Sequence, residues 1–183
     1  MSALAKIRMS VDEFLAWAME QPGRHELYRG EVFAMSPETV GHAKIKAAAH
    51  HALAESIKQR RLPCHSLPDG MTVRIDANTA FEPDALVYCG KELAAASIEV
   101  PEPVIIVEVL SPSTRQFDVT LKLAGYFKLA SVKHYLIVDP GKPLIIHHAR
   151  GDGETILTRI VTEGAIMLDP PGIELALDEI YGS

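Results

Sequence analysis

Residues 103–114 read Pro-Val-Ile-Ile-Val-Glu-Val-Leu-Ser-Pro-Ser-Thr, and this stretch decides the fold class. Its first part, 103–110, is apolar almost without interruption, which is typical of a strand that is buried on both faces of a sheet. Residues 111–114 break the strand and offer a cap for a helix that we expect to run to about Ala130. A buried strand joined directly to a helix predicts a domain that mixes strands and helices.

The patterns on either side extend this prediction over the whole chain. A helix begins at Ser10, where Glu13 completes a capping box, and a long amphipathic helix without proline covers about 39–61. The further predicted elements are an extended segment over 25–35 that turns or bulges at Gly30, strands over 70–75 and 83–88, a short helix over 91–97, a strand over 134–138, a hairpin over 143–148 and 154–161, a strand near Met167 and a turn of helix over 177–181. We predict a single α/β domain over residues 1–183, with a central mixed sheet flanked by helices.

The composition is that of a globular protein, with 48% hydrophobic and 23% charged residues, and it excludes a disordered chain. Two cysteines, Cys64 and Cys89, are too few for a disulfide scaffold in a chain of this length. Its uncharged apolar runs, such as 104–107, are far shorter than the roughly 20 residues that span a bilayer. The start of the chain lacks the apolar stretch of a secretory signal. We therefore expect a soluble, cytoplasmic protein with reduced cysteines and no membrane partner.

The charge balance limits which partners the chain can bind. Its 24 acidic and 18 basic residues give a formal net charge of −6, whereas domains that bind DNA are commonly basic. Five basic residues lie along the long helix: Lys44, Lys46, Lys58, Arg60 and Arg61. They form either a solvated helix face or a strip that tracks phosphates. The balance is compatible with weak or selective binding of nucleic acid, and it argues against a strong non-specific binder.

Two carboxylates stand at unusual places in the predicted strands. Glu108 lies within the apolar run, on the same face as Ile106, although glutamate is almost never fully buried unless it is paired or bound to a metal. Asp84 follows Pro83 and opens another apolar strand. Each has an ordinary alternative, because Glu108 can lie at the solvated end of its strand and Asp84 can be a turn residue. If the two strands are neighbours, the carboxylates can converge on a hard cation such as Mg²⁺.

Lys122 is the cation best placed to reach these carboxylates. It shares one helix stripe with Asp118 and Tyr126, at spacings of four residues. An ordinary ion pair with Asp118, worth about 0.3–0.5 kcal/mol, would explain the same spacing. Because a short turn joins this helix to the Glu108 strand, its first turns should lie close to the carboxyl end of the strand. A lysine there can contact a bound water or a phosphate.

Other residues that could carry chemistry give weaker patterns. The adjacent pairs His50-His51 and His147-His148 point apart on a helix or a strand, so neither pair chelates a metal through both rings. The two cysteines lack the spacing of metal ligands. The chain has neither a Walker-type phosphate loop nor a dinucleotide fingerprint.

With these residues in place, the sequence resembles the Uma2 family, nucleases of the PD-(D/E)XK or restriction-endonuclease-like superfamily. The matching motifs, over about residues 10–150, are 25–31 (His-Glu-Leu-Tyr-Arg-Gly-Glu), 34–37 (Ala-Met-Ser-Pro), His42, Pro83-Asp84, 107–114 (Val-Glu-Val-Leu-Ser-Pro-Ser-Thr), the spacing of Asp118, Lys122 and Tyr126, and 135–140 (Tyr-Leu-Ile-Val-Asp-Pro). The most specific is the block 108–114 together with the spacing after it. The resemblance implies a restriction-endonuclease-like core around a central mixed sheet.

The resemblance also implies an acidic metal site. Asp84 would be the motif aspartate and Glu108 the motif acid, together holding Mg²⁺ or Mn²⁺, with the main-chain carbonyl of Val109 as a further ligand. Glu26 resembles a glutamate in the family's first extended segment and would complete the site, both as a metal ligand and in catalysis. His42 matches a family histidine that can approach the same cleft, or else it is a polar cap at the start of its helix.

The chain departs from the superfamily pattern at one position. The superfamily places a lysine two residues after the motif acid, and Leu110 stands there in this chain. The resemblance implies that Lys122 has taken over this role, in which a positive charge orients the attacking water or stabilises the developing negative charge.

The activity that follows is that of a metal-dependent endonuclease hydrolysing the phosphodiester bonds of nucleic acid, DNA in the first place. Resemblance to nucleases that cut both strands also implies a homodimer. The alternative is a catalytically inactive protein that keeps the fold as a binding or assembly module, and the missing lysine at position 110 favours it. The presence together of Glu26, Asp84, Glu108 and Lys122 favours the enzyme.

Overall fold

The structure is a computed structural model that describes residues 8–111 and 118–182, apart from the side chains of residues 118 and 119. Within these ranges the strands are β1 (His25–Tyr28), β2 (Glu31–Ala34), β3 (Cys64–Pro68), β4 (Val73–Asp76), β5 (Thr79–Phe81), β6 (Ala85–Cys89), β7 (Pro103–Val109), β8 (His134–Val138), β9 (Ile145–Arg150), β10 (Ile156–Val161), β11 (Ala165–Leu168) and β12 (Ile173–Ala176). The helices are α1 (Val11–Ala18), α2 (Val40–Arg60), α3 (Leu123–Tyr126), which continues a π-helical turn over Asp118–Lys122, and α4 (Leu177–Tyr181). Across the described ranges, no helix is long and apolar enough to cross a membrane.

A six-stranded sheet in the order β10-β9-β8-β7-β6-β3 forms the centre of the fold. β7 and β8 run parallel, and the other neighbours in this sheet are antiparallel. β7 has Ile105, Ile106 and Val107 fully buried. Its apolar run is nearly continuous because the strand lies inside the sheet with both of its faces covered. The predicted mixed α/β fold is thus confirmed.

Two layers cover the faces of this sheet. On one face, α2 packs through Leu53 and Ile57, together with α4 and the two-stranded sheet β11-β12. On the other face, Tyr126 from α3 and Phe81 from β5 lie in one buried cluster with Ile106 of β7. The alternation of side chains along β7 therefore sends Glu108 to the face that carries Tyr126.

α2 is the long helix that the sequence predicts over 39–61, and it spans 21 residues. The Thr39 side chain accepts a hydrogen bond from the backbone N–H of His42, which satisfies one free donor of the first turn. The helix ends where Arg61 adopts left-handed backbone, with φ 53°. Both ends are thus set by local residues, and the buried stripe holds the helix against the sheet.

A second sheet, in the order β2-β1-β5-β4, brings the N-terminal part of the chain to the site. The predicted turn in the first extended segment is a hairpin turn at Arg29 and Gly30, with φ values of 52° and 81°. Two successive positive φ values favour glycine at such a turn, and a Cβ at Gly30 would also lie 3.0 Å from the Cβ of Arg8. The hairpin places Glu26 on β1.

Two predicted helices differ from the structure. Residues 91–97 form no helix, because so short a segment gains little from helix nucleation and the Leu93 N–H instead donates to the Tyr88 hydroxyl. The helix expected to reach Ala130 ends at Tyr126. Of the cap predicted at residues 111–114, only Ser111 lies within the described residues. The sequence patterns also missed β3, β5 and β12.

The expectation of reduced cysteines is wrong in this structure. Cys64 and Cys89 form a disulfide. The two residues are distant in sequence, but the antiparallel register of β3 and β6 places them directly opposite each other. The composition could not show this, because the pairing depends on strand register.

Candidate active site

The register of β6 and β7 places Asp84 and Glu108 side by side. Ala85 opposes Val107, so Asp84, one residue before β6, lies across from Glu108, and its N–H donates to the Val107 carbonyl at 3.0 Å. Directly opposed residues on one face of an antiparallel pair have Cβ atoms about 4.5–5.5 Å apart. Both side chains are buried, at 6% and 7% relative exposure. Burial therefore excludes a solvated strand end for Glu108, whereas Asp84 does lie at a bend after Pro83, with its side chain buried.

Asp84 is held by the neighbouring strand and by a helix. Its Oδ2 accepts a hydrogen bond of 2.7 Å from the backbone N–H of Val109. Its Oδ1 lies 3.5 Å from Nζ of Lys46, on α2. Oδ2 thus fixes the orientation of the Asp84 carboxylate, and Oδ1 faces the Lys46 ammonium.

Glu108 has a cation and a hydroxyl as partners. Nζ of Lys122 lies 3.0 Å from both carboxylate oxygens, and the hydroxyl of Tyr126 donates to Oε1 at 2.7 Å. Lys122 is 3% exposed, and its Nζ also lies 2.9 Å from Oε1 of Glu26. Lys122 therefore points into the site, where one ammonium joins two of the predicted acids.

Burial and charge act on Glu108 in opposite directions. Burial raises the pKa of Glu108, the charges of Asp84 and Glu26 add to the rise, and the Lys122 ammonium 3.0 Å away opposes it and favours the ionised form. Burial also raises the pKa of Tyr126, so its hydroxyl keeps its proton and remains a donor. Three acids within electrostatic reach of one another leave a site that favours additional positive charge.

Glu26 reaches the site from the second sheet. Its Oε1 accepts a hydrogen bond of 2.8 Å from the backbone N–H of Glu82, two residues before Asp84. The Glu82 side chain pairs with Arg24, and Arg24 pairs in turn with Asp69. Burial raises the pKa of Glu82, and the Arg24 guanidinium opposes that shift.

His42 lies against the carbonyl that the resemblance assigns to the metal. Its Nε2 is 2.9 Å from the Val109 carbonyl oxygen and its Nδ1 is 2.9 Å from Oε2 of Glu38. Since a carbonyl oxygen only accepts, Nε2 is the donor in that contact. The His42 ring thus joins Glu38, at the start of its helix, to the Val109 carbonyl beside the acids.

The donor set suits a hard divalent cation, because Asp84, Glu108, Glu26 and the Val109 carbonyl offer only oxygen atoms. The arrangement is not a closed metal cage, however. Among residues 8–111 and 118–182, no three His, Cys, Asp or Glu side chains converge closely enough to hold a metal ion. The Lys122 ammonium lies between Glu26 and Glu108 instead. A metal ion bound here would share the carboxylates with this ammonium.

The prediction of a solvated or phosphate-tracking strip on α2 missed one residue of the site. Lys46 is buried at 7% exposure, with Nζ 2.6 Å from Oδ2 of Asp69 and 2.9 Å from Oε2 of Glu38. A signal was present in the helix, because Lys46 lies three residues before buried Ala49 and so borders the apolar stripe. Asp69 carried no comparable signal.

Comparison with solved structures gives the fold class. The structure of a protein described as a "putative nuclease" of the DUF820 group from Anabaena variabilis ATCC 29413 is similar to this chain, with a TM-score of 0.74 at 16% identity. The similarity covers 94% of this chain and 97% of the other. The two chains thus share a fold.

Comparison with sequence families gives the family. The Uma2 family model, described as "Putative restriction endonuclease", matches residues 11–178, and the chain belongs to the Uma2 family. Two relatives come from Synechocystis sp. (strain ATCC 27184 / PCC 6803 / Kazusa), and both are described as uncharacterized proteins. One, slr1290, is 26% identical over 184 residues, covering 95% of this chain and 92% of the relative. The other, sll1609, is 23% identical over 160 residues, covering 86% and 90%.

Proposed function

We propose that this protein is a metal-dependent endonuclease that hydrolyses phosphodiester bonds of nucleic acid, DNA in the first place. The observation that carries the proposal is the pair of buried carboxylates, Asp84 and Glu108, on neighbouring strands with Lys122 in contact with Glu108. A buried acid pair is costly to a fold unless it binds a cation or is compensated. The family suggests nuclease chemistry, and the carboxylates supply oxygen ligands for Mg²⁺ or Mn²⁺.

Each residue has a defined task in this proposal. Asp84 and Glu108 would hold the cation, which when bound would supply an activated water and polarisation of the phosphate. Lys122 supplies a fixed positive charge beside Glu108, where it stabilises negative charge that develops on the phosphate. Glu26 holds Lys122 in place through its contact of 2.9 Å. His42 fixes the Val109 carbonyl, the further oxygen ligand.

The test is cleavage of plasmid and of linear DNA by purified Asp84→Asn and Glu108→Gln variants, with Mg²⁺, with Mn²⁺ and with chelator. We expect both variants to lose metal-dependent cleavage by at least about 100-fold while the fold is kept. Glu102→Gln is the matched control, because Glu102 is exposed immediately before the same strand. Full activity in either site variant would overturn the assignment.

A second candidate function is a binding or assembly module without catalysis. It is favoured by Leu110 at the superfamily's lysine position and by the ammonium between Glu26 and Glu108. Melting curves with millimolar Mn²⁺ separate the two, because a ligand of the native state raises the melting temperature. The nuclease proposal expects a rise in the wild type that Asp84→Ala lacks; equal curves favour the module.

The proposed nucleic-acid contact is weak or selective. Lys44 and Lys58 are exposed along α2, but Lys46 is buried and belongs to the site. The strip is also partly neutralised, because Lys58 lies 3.5 Å from Glu55 and Arg60 lies 3.8 Å from Glu174. The basic surface that remains on α2 is therefore small.

The proposed homodimer has a candidate surface at the open edge of the six-stranded sheet. β10 exposes Ile156, Leu157 and Ile160, at 38%, 53% and 69%. The β10 strands of two copies can pair antiparallel with Thr158 at the centre, which sets each Ile156 opposite an Ile160 of the other copy. In this register the two Arg159 side chains are not directly opposed. We expect light scattering to show a dimer that Ile160→Lys converts to monomer, whereas Met167→Lys, at an exposed residue of β11, does not. A monomeric wild type would contradict it.

A further inference from the structure

Lys46 is a buried cation on the side of the site opposite Lys122. It comes from α2, which packs on one face of the central sheet, whereas Lys122 precedes α3 on the other face. Its Nζ lies 2.6 Å from Asp69, 2.9 Å from Glu38 and 3.5 Å from Oδ1 of Asp84. An ammonium has three N–H donors, and here three carboxylates surround it.

These three carboxylates come from separate parts of the chain. Glu38 precedes α2, Asp69 follows β3, and Asp84 precedes β6. Asp69 is anchored a second time by Arg24, which also holds Glu82. The carboxylates are therefore fixed around Lys46 from several directions.

Stability alone is a weak explanation for this arrangement. Replacing a buried ion pair by apolar side chains of similar size is often neutral or stabilising. The small value of exposed ion pairs does not apply here, because Lys46 is only 7% exposed and its pairs fall in the buried class. The ammonium also lies beside Asp84, a proposed metal ligand, which points to a role in the site.

We propose that the Lys46 ammonium occupies the position of a second divalent ion, so that this site binds one divalent ion only. The inference rests on the proposed metal-binding function. Two-metal hydrolytic sites hold ions about 3.5–4 Å apart through carboxylates that they share. A second ion next to Asp84 would need the oxygens of Asp84, Asp69 and Glu38 that already surround Lys46.

This arrangement has a chemical consequence. An ammonium offers positive charge and hydrogen-bond donors, but it does not activate a water as a divalent ion does. Lys46 therefore neutralises the Asp84 carboxylate at Oδ1. The water-activating role is left to the single divalent ion. Lys46 is in this sense a positioning residue, acting through Asp84.

The test is the number of Mn²⁺ ions bound per chain, measured by calorimetry and by electron paramagnetic resonance. We expect one ion in the wild type, in Lys46→Arg and in Lys44→Met, an exposed lysine of the same helix. We expect two ions in Lys46→Met, and the second to be lost when Asp69→Asn is added. One ion in both the wild type and folded Lys46→Met would overturn the inference and leave the proposed function intact.

The wild type gives an independent reading if Lys46→Met does not fold. Two Mn²⁺ ions about 4 Å apart give an exchange-coupled spectrum, whereas one ion gives a mononuclear spectrum. We expect the mononuclear spectrum even at millimolar Mn²⁺. A coupled spectrum would overturn the inference, whereas a wild type that binds no Mn²⁺ would overturn the proposed metal site and the inference with it.

Discussion

The two ends of the parallel strand pair β7–β8 both bury polar side chains, and they do so in opposite ways. At the carboxyl end of β7, Glu108 contacts the charged Lys122. At the start of β8, His134 lies opposite Ile105, and its Nδ1 is 2.9 Å from Nε2 of His147. His134 and His147 are 4% and 3% exposed, so neither end is more solvated than the other.

The difference lies in charge. His134 Nε2 donates to the Pro170 carbonyl at 3.0 Å, which leaves its Nδ1 to accept from the His147 ring. Both histidines can therefore stay neutral, and this end needs no counter-ion. Glu108 cannot be satisfied in that way while ionised, and it recruits a lysine and a tyrosine. A buried neutral pair serves the fold, whereas a buried charge cluster indicates a site that handles charge.

The largest effect is expected from removing the cation at the acidic end. Lys122→Met leaves Glu108 buried without its ammonium and Glu26 without its partner, so we expect a loss of about 3–5 kcal/mol in the free energy of unfolding. Urea unfolding measures it. Adding Glu108→Gln should recover part of the loss, because the uncompensated charge is then gone.

Lys128→Met is the matched control for this change. Lys128 is exposed and lies 3.2 Å from Asp76, so its loss should cost less than about 1 kcal/mol. Similar costs for Lys122→Met and Lys128→Met would mean that the buried ion pair does not behave as a buried charge cluster.

The buried histidines at the start of β8 should make the free energy of unfolding depend on pH. Burial, with smaller contributions from the neighbouring His134, Arg159 and His148, lowers the pKa of His147 to about 4. The unfolded chain takes up this proton near its ordinary pKa, so the free energy of unfolding falls as pH drops from about 6.5 to 4, by up to about 3 kcal/mol. His147→Gln should flatten this part of the stability profile.

The comparison of variant and wild type isolates the histidine, because the acids titrate in both. Above pH 7 the two profiles should run parallel, since His147 is then neutral in the folded and the unfolded chain. His51→Gln, at an exposed histidine of α2, is the control and should keep the wild-type slope. A variant profile that stays as steep as that of the wild type below pH 6.5 would show that His147 titrates normally in the fold.

The sequence predicted the elements whose determinants are local. α2 has its own cap at Thr39 and a regular apolar stripe, and β7 has its continuous apolar run. β3 could not be predicted in this way, because Cys-His-Ser-Leu-Pro has no clear alternation and becomes a strand only by pairing with β6. The helix predicted over 91–97 failed for the converse reason, since favourable local propensity was not enough for so short a segment.

The site residues divide in the same way, into those with a local signal in the sequence and those that only the tertiary fold brings in. Asp84, Glu108, Lys122 and Glu26 stand out in sequence as charges beside strands or at helix spacing, and the structure brings them together. Their catalytic and metal-binding roles remain predictions. Lys46 was assigned to the basic strip on α2, although its place beside the apolar stripe was a signal of burial. Asp69 reaches Lys46 only through the tertiary fold.

The smallest expected loss of stability tests the comparison of the acidic end with the histidine end most directly, because the substitution removes a single atom. Tyr126→Phe removes the hydroxyl that donates to Glu108 and keeps the ring, which packs at 5.5 Å from Phe81 and 5.2 Å from Tyr135 between ring centroids. A hydrogen bond to a charged group is worth more than one between neutral groups, so we expect a loss of about 2 kcal/mol in urea unfolding.

Tyr88→Phe provides the neutral counterpart, because the Tyr88 hydroxyl accepts from the Leu93 N–H at 3.3 Å. Its loss should cost about 1 kcal/mol or less. In a Glu108→Gln background, the cost of Tyr126→Phe should fall to the same level, since the acceptor is then neutral. If Tyr126→Phe costs no more than Tyr88→Phe in the wild-type background, Glu108 carries no charge in the folded protein, and the acidic end would then resemble the histidine end.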